Sequence, residues 1–121
     1  MTAEFTTDRP IYLQILDYCM DCIASGHWQP GGRIPAVKEL SVNMSVNPRT
    51  VMRTYEELSV RGIIFQRRGL GFYVTDDGRD KVMEARRTEF ENTVLPDFIA
   101  RMRKADFPPG RVIDILRELQ P

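Results

Sequence analysis

The chain has only two cysteines, one tryptophan and one histidine in 121 residues. It also has no apolar run near the ~20 residues that a membrane-spanning helix needs. Two cysteines cannot build the disulfide framework of a small secreted domain. Cys19-x-x-Cys22 falls inside an expected helix, and no second pair completes a four-ligand zinc site. A redox dithiol belongs at a helix N-terminus beside a βαβ unit, which this pattern lacks. The two thiols therefore read as core residues. His27 stands alone in a turn, and the carboxylates form no paired arrangement that suggests a cleft. The expectation is a protein with no catalytic residue, metal or cofactor. The N-terminal stretch MTAEFTTDRP is polar and lacks a signal peptide's apolar core, so the expected location is the cytoplasm, with no membrane partner.

Net charge is also lacking: 17 basic side chains balance 17 acidic ones. Taken alone, that argues against a nucleic-acid partner. The distribution argues the other way. Residues 33–75 hold Arg33, Lys38, Arg49, Arg53, Arg61, Arg67 and Arg68 against Glu39, Glu56 and Glu57, which is 7 − 3 = +4, leaving −4 for the remainder. A basic stretch in an otherwise acidic chain suits a polyanionic partner.

What is present is a series of well-punctuated elements. Ile11, Ile15, Cys19, Cys22 and Ile23 recur at helical spacing, with Asp8 as the expected cap, Pro10 near the first turn and Gly26 just past the end. The Gly/Pro-rich GHWQPGGRIP is a connection, from which Trp28 and Ile34 fold back on the core. A second helix is expected over 36–44, with Val37, Leu40 and Met44 on one face. Asn47 and Pro48 are a good N-cap and first helical residue for a third helix, which runs to about Arg61 and turns Val51, Tyr55 and Leu58 inward. Two helices joined by a tight turn form a helix-turn-helix. The β-branched and aromatic runs 63–67 and 72–75 flank a Gly-containing turn and read as a hairpin, the wing.

Asp76-Asp77-Gly78 breaks the pattern and places a boundary between a domain over 1–76 and a helical region over 77–121, with the two aspartates as caps of its first helix. Val82, Met83, Phe90, Val94, Leu95, Phe98, Ile99 and Met102 keep helical spacing, and Pro96 should kink or restart the helix. Residues 106–110 read as a turn and Arg111–Leu119 as a last helix. So few helical residues cannot enclose a core of their own, so their apolar stripes must pack on the N-terminal domain or on a second copy of the chain, and the second copy is the favoured cover. The fold class is α+β: three helices and a wing, followed by a short all-helical dimerisation region.

Four separated motifs carry a resemblance over residues 9–75: Pro10-Ile11-Tyr12-Leu13-Gln14-Ile15, Pro30-Gly31-Gly32-Arg33-Ile34-Pro35, Val46-Asn47-Pro48-Arg49-Thr50-Val51 and Arg67-Arg68-Gly69-Leu70-Gly71-Phe72-Tyr73-Val74. In order and spacing they resemble the GntR family. The Asn-Pro-x-Thr-Val turn and the short helical tail look like its YtrA subfamily. The resemblance implies a homodimeric regulator, by default a repressor, on a (pseudo)palindromic double-stranded operator, with a small-molecule effector as a possible further partner. The alternative is a winged helix used for protein or RNA contacts. The family commonly has Leu-Pro-Ser-x-Arg where this chain has Ile34-Pro35-Ala36-Val37-Lys38, so the second helix loses a hydroxyl cap and a forked phosphate donor. The family's usual Gly before the turn is Ser45 here.

The expected DNA-binding residues follow from that geometry. The third helix would lie in the major groove with its first residues nearest the bases. Arg49 is the candidate for a base contact, Arg53 for a phosphate or a base, and Thr50 for a phosphate, with Asn47 and Pro48 opening the helix. Lys38, Arg67 and Arg68 are expected on backbone phosphates. Gly69 and Gly71 are expected to let the wing tip turn tightly and approach a groove.

Overall fold

A computed structural model describes residues 5–120. Their order is α1 (Ile11–Ala24), α2 (Val37–Met44), α3 (Pro48–Val60), β1 (Ile64–Arg67), β2 (Gly71–Val74), α4 (Gly78–Glu89), a π-helical turn (Phe90–Val94), α5 (Leu95–Lys104) and α6 (Pro109–Glu118). Among the described residues no helix is long and apolar enough to cross a membrane. The chain divides into two compact units, one ending at Glu84 and the other beginning at Ala85.

The core of the first unit follows from the 3.6-residue period. α1 buries Ile15, Leu16, Cys19, Met20, Cys22 and Ile23 on one side, and α3 answers with Val51, Thr54, Tyr55 and Leu58. Leu40 and Met44 of α2, Trp28, Ile34 and the hairpin residues Ile64, Phe72 and Val74 complete it. Two buried polar groups tie the elements together. The Tyr55 hydroxyl donates to the Pro35 carbonyl at 2.6 Å, while its ring meets Phe72 edge-on at 5.0 Å. The Thr54 hydroxyl lies 3.0 Å from the Tyr12 carbonyl and 3.2 Å from that of Thr50.

The hairpin pairs Ile64 with Val74, Phe65 with Tyr73, Gln66 with Phe72 and Arg67 with Gly71. A third edge, which sequence patterning did not reveal, runs along β2. The Ile34 N–H donates to the Phe72 carbonyl and the Val74 N–H to that of Gly32, both at 2.9 Å. The connection before α2 thereby braces the wing.

Helix entries differ from expectation in instructive ways. Asp8 does not cap α1. Pro10 holds the cap position without a side-chain bond, and the Asp8 carboxylate accepts from the Thr6 hydroxyl instead. Asp8 lies too far upstream of Ile11, and Gln14 closes the turn by donating to the carbonyls of Thr6 at 2.9 Å and Arg9 at 2.8 Å. Ala36 has no acceptor for the start of α2, but Glu39 Oε1 accepts from the Ala36 N–H at 3.1 Å, which keeps half of a capping box.

Ser45 ends α2 in the left-handed region, with φ 55°. The Val46 N–H reaches the Ser41 carbonyl at 3.0 Å and the Ser45 N–H that of Val42 at 3.2 Å, the Schellman pattern usually built on glycine. A Cβ at this φ is unfavourable by more than glycine's extra unfolded-state freedom costs. Ser45→Gly should therefore stabilise the protein by roughly 0.5–1 kcal/mol. A urea midpoint that stays put or falls would contradict this.

The unit boundary falls inside α4 and not at Asp76–Gly78, because the start of α4 packs into the first unit. Val82 is fully buried, and a Cβ on Gly78 would lie 2.7 Å from the Ile63 carbonyl oxygen and 2.8 Å from Val74 Cγ1. Asp77 opens α4 through its backbone carbonyl, which accepts from the Lys81 N–H at 3.0 Å. Its carboxylate takes the Thr75 hydroxyl at 3.1 Å and pairs with Lys81 Nζ at 3.3 Å.

In the second unit the helix passes through Pro96 without breaking. Proline removes one i→i−4 bond, and the preceding turn widens: the Leu95 N–H donates to the Phe90 carbonyl, five residues back. Asp106, at φ 50°, closes α5, and α6 begins at Pro109, earlier than expected, because proline at a first helical position loses no bond. No residue of α5 or α6 is buried.

Candidate nucleic-acid interface

The front of α3 is built by its first residues. Asn47 Oδ1 accepts from the Arg49 N–H at 2.9 Å, and Pro48 occupies the first turn with φ pre-set for a helix. Asn47 and Pro48 thus hold the helix start that carries Arg49 and Thr50. Arg49 and Arg53 are exposed and Thr50 is half-buried, while Val51, Tyr55 and Leu58 bury the opposite face. Arg49, Thr50 and Arg53 line a shallow cleft of about 420 Å³ together with Pro10, Ile11 and Tyr12 of the α1 entry. The Arg53 guanidinium carbon sits 3.7 Å from the centre of the Tyr12 ring.

The other expected residues lie on separate elements. Lys38 is exposed on α2, and Arg67 and Arg68 are exposed on the hairpin. Phe65 and Tyr73 stack at 5.8 Å on one face of the wing, and Arg67 lies over both rings, at 5.0 Å from Tyr73 and 5.7 Å from Phe65. Gly69 and Gly71 have φ of 75° and 105°, a region L side chains rarely adopt, so the tip has the tight form expected of it.

Two residues near these were not singled out from the sequence. Arg33 follows the back of the wing, its Nε 3.1 Å from where a Cβ on Gly71 would lie. Its signals were membership of the basic stretch and a place in the Pro30–Pro35 motif, neither of which gave it a role. Tyr12 had only its place in the Pro10–Ile15 motif, and nothing there linked it to Arg53, which is distant along the chain.

Some cations are neutralised by neighbours on their own helix. Arg61 pairs with Glu57 at 3.1 Å, Lys81 with Asp77 at 3.3 Å and Arg101 with Asp97 at 3.0 Å. Among the described residues, Lys38, Arg49, Arg53, Arg67 and Arg68 have no carboxylate partner. Unneutralised guanidinium groups on the leading turns of one helix and on a hairpin leave their forked donors open to an anion. The cysteines offer no competing chemistry. Burial pushes both thiols up from their ordinary range, which keeps them protonated and inert. Among the described residues no group of three metal-ligating side chains exists.

Three helices, the last two joined through a left-handed turn, and a braced hairpin with exposed arginines define a winged helix-turn-helix protein. The model of bacterial regulatory proteins, gntR family, matches residues 11–74, more than half of the chain, and the chain belongs to that family. It is 35% identical to the HTH-type transcriptional repressor YtrA of Bacillus subtilis over 82 residues, 68% of this chain and 63% of that protein. Among solved structures, a GntR family transcriptional regulator from Listeria monocytogenes is similar with a TM-score of 0.76 and 30% identity, covering 96% of this chain and 100% of that one. The DNA-binding domain of AraR, solved in complex with operator ORE1, is similar over 62% of this chain and 89% of that one, with a TM-score of 0.54 and 25% identity.

Proposed function

We propose that this protein is a cytoplasmic transcriptional repressor that binds a two-fold operator as a homodimer. One observation carries the reading: Arg49 and Arg53 stand exposed, with no carboxylate partner among the described residues, on the leading turns of α3, the helix that a helix-turn-helix inserts in the major groove. The similarity to YtrA, named a repressor, and to an AraR domain bound to operator DNA supports the same reading. Arg49 reads base edges, Thr50 and Lys38 reach phosphates, and Arg67 and Arg68 carry the wing onto the backbone.

The second unit supports dimerisation. Its apolar side chains lack cover: Phe98, Met102, Phe107, Val112, Ile115 and Leu116 line an almost wholly apolar groove of about 510 Å³ between α5 and α6. Helices that bury none of their own residues need a partner surface, and a second copy supplies one of matching character.

The test is an anisotropy titration with labelled duplexes tiled across the DNA upstream of the gene, against random-sequence competitor. One duplex should keep its signal where the others are displaced, with a preference of about 1,000-fold or more over random DNA. Uniform displacement of every duplex would contradict operator binding.

A further inference from the structure

We infer that Arg53 serves a DNA backbone phosphate and not a base edge, and that Tyr12 is the residue that positions it, which makes the first turn of α1 part of the interface. This rests on the proposed reading of α3 as the DNA-facing helix. The charge pattern alone leaves Arg53 free to meet either a phosphate or a base. The structure restricts it. The guanidinium carbon is 3.7 Å from the Tyr12 ring centre, well inside the ~6 Å reach of a cation–π contact. Stacking covers one face of the guanidinium but leaves its in-plane N–H fork open, which is the part that grips an oxyanion.

The platform is itself fixed. The Tyr12 carbonyl accepts from the hydroxyl of Thr54, a fully buried residue next to Arg53 on α3, at 3.0 Å. The backbone that carries the ring is therefore tied to the helix that carries the guanidinium. Arg53 is held sideways against α1, whereas Arg49, on the first turn, makes no such stack. A side chain held to a neighbouring helix suits the flank of the groove, where the phosphates run. The cleft agrees with this: Thr50 and Arg53, with Arg49, line an open space of about 420 Å³ that Pro10, Ile11 and Tyr12 also line. The Arg53 guanidinium and the Thr50 hydroxyl suit a tetrahedral anion there, and phosphate contacts are what fix a protein's register on a duplex.

The experiment is a set of titrations of the full chain, at several salt concentrations, on the duplex that survives competition and on a random duplex. Arg53→Ala should weaken both by the same factor and lower the salt slope by about one. Tyr12→Leu should weaken both by about five-fold while keeping the slope, since the charge remains. Tyr12→Phe should bind like the parent. Tyr12→Leu should cost nothing further in the Arg53→Ala background, which a merely structural role for the ring would not produce. Melting curves identify any variant that fails to fold, and Tyr12→Phe with Arg53→Ala then carries the test. A loss confined to the preferred duplex in Arg53→Ala would make Arg53 a base reader and overturn the inference. So would an equal Tyr12→Leu effect with and without Arg53. A parent chain that prefers no duplex would instead overturn the DNA-binding reading itself.

Discussion

Phe98→Glu combined with Leu116→Glu converts the protein to a monomer and lowers its affinity for the preferred duplex by about 100-fold or more. Both side chains line the apolar groove between α5 and α6 and are about half exposed, so the charges fall on surface that the proposed second copy covers. Burying an unpaired carboxylate costs several kcal/mol, more than such a contact can repay. Loss of DNA affinity follows because two linked recognition helices make the second half-site contact effectively intramolecular. The first unit should be unaffected, since its core includes no residue beyond Val82. Light scattering should give about twice the 14.0 kDa chain mass for the parent and the chain mass for the variant. A variant that stays dimeric would remove α5 and α6 from the interface. A monomer that binds as tightly as the parent would remove dimerisation from the mechanism.

Arg49→Ala costs about 1–3 kcal/mol on the preferred duplex and much less on random DNA. The difference separates Arg49 from Arg53. Arg49 sits on the first turn of α3, its backbone N–H bonded to Asn47 Oδ1 at 2.9 Å, and its side chain is exposed. From a first turn, a guanidinium can present two donors in the plane that guanine accepts through O6 and N7. Truncation removes those bonds without disturbing the cap, because the Asn47 bond goes to the backbone. Titration of both duplexes at matched salt checks this. An equal loss on both would make Arg49 one more phosphate contact.

The parts of this fold legible in the sequence are those with local signatures. The stripe Ile15, Cys19, Cys22, Ile23 and the inward set Val51, Tyr55, Leu58 follow helical period, and Asn47-Pro48 marks the start of α3 by chemistry that acts within one turn. The wing showed in its glycines. Other features depend on partners far apart in sequence or on backbone alone. The edge formed by Gly32 and Ile34 along β2 uses only N–H and carbonyl groups, which no side chain announces. The extension of the first core through Val82 was hidden because Asp76-Asp77-Gly78 has a linker's composition, although Gly78 is there for close packing. Pro96 signalled an interruption, but a π-helical turn absorbed it. For the interface, the charge pattern supplied the cations, and only the structure placed Tyr12 against Arg53 and Arg33 beside the wing.

The most direct test of the central claim, a two-fold dimer that places two α3 helices in successive major grooves, is hydroxyl-radical footprinting on the preferred duplex. Two protected patches of equal strength, on one face of the DNA and about 10 bp or a multiple apart, are the predicted result. A single asymmetric patch protected at full affinity, or uniform protection without periodicity, would contradict it.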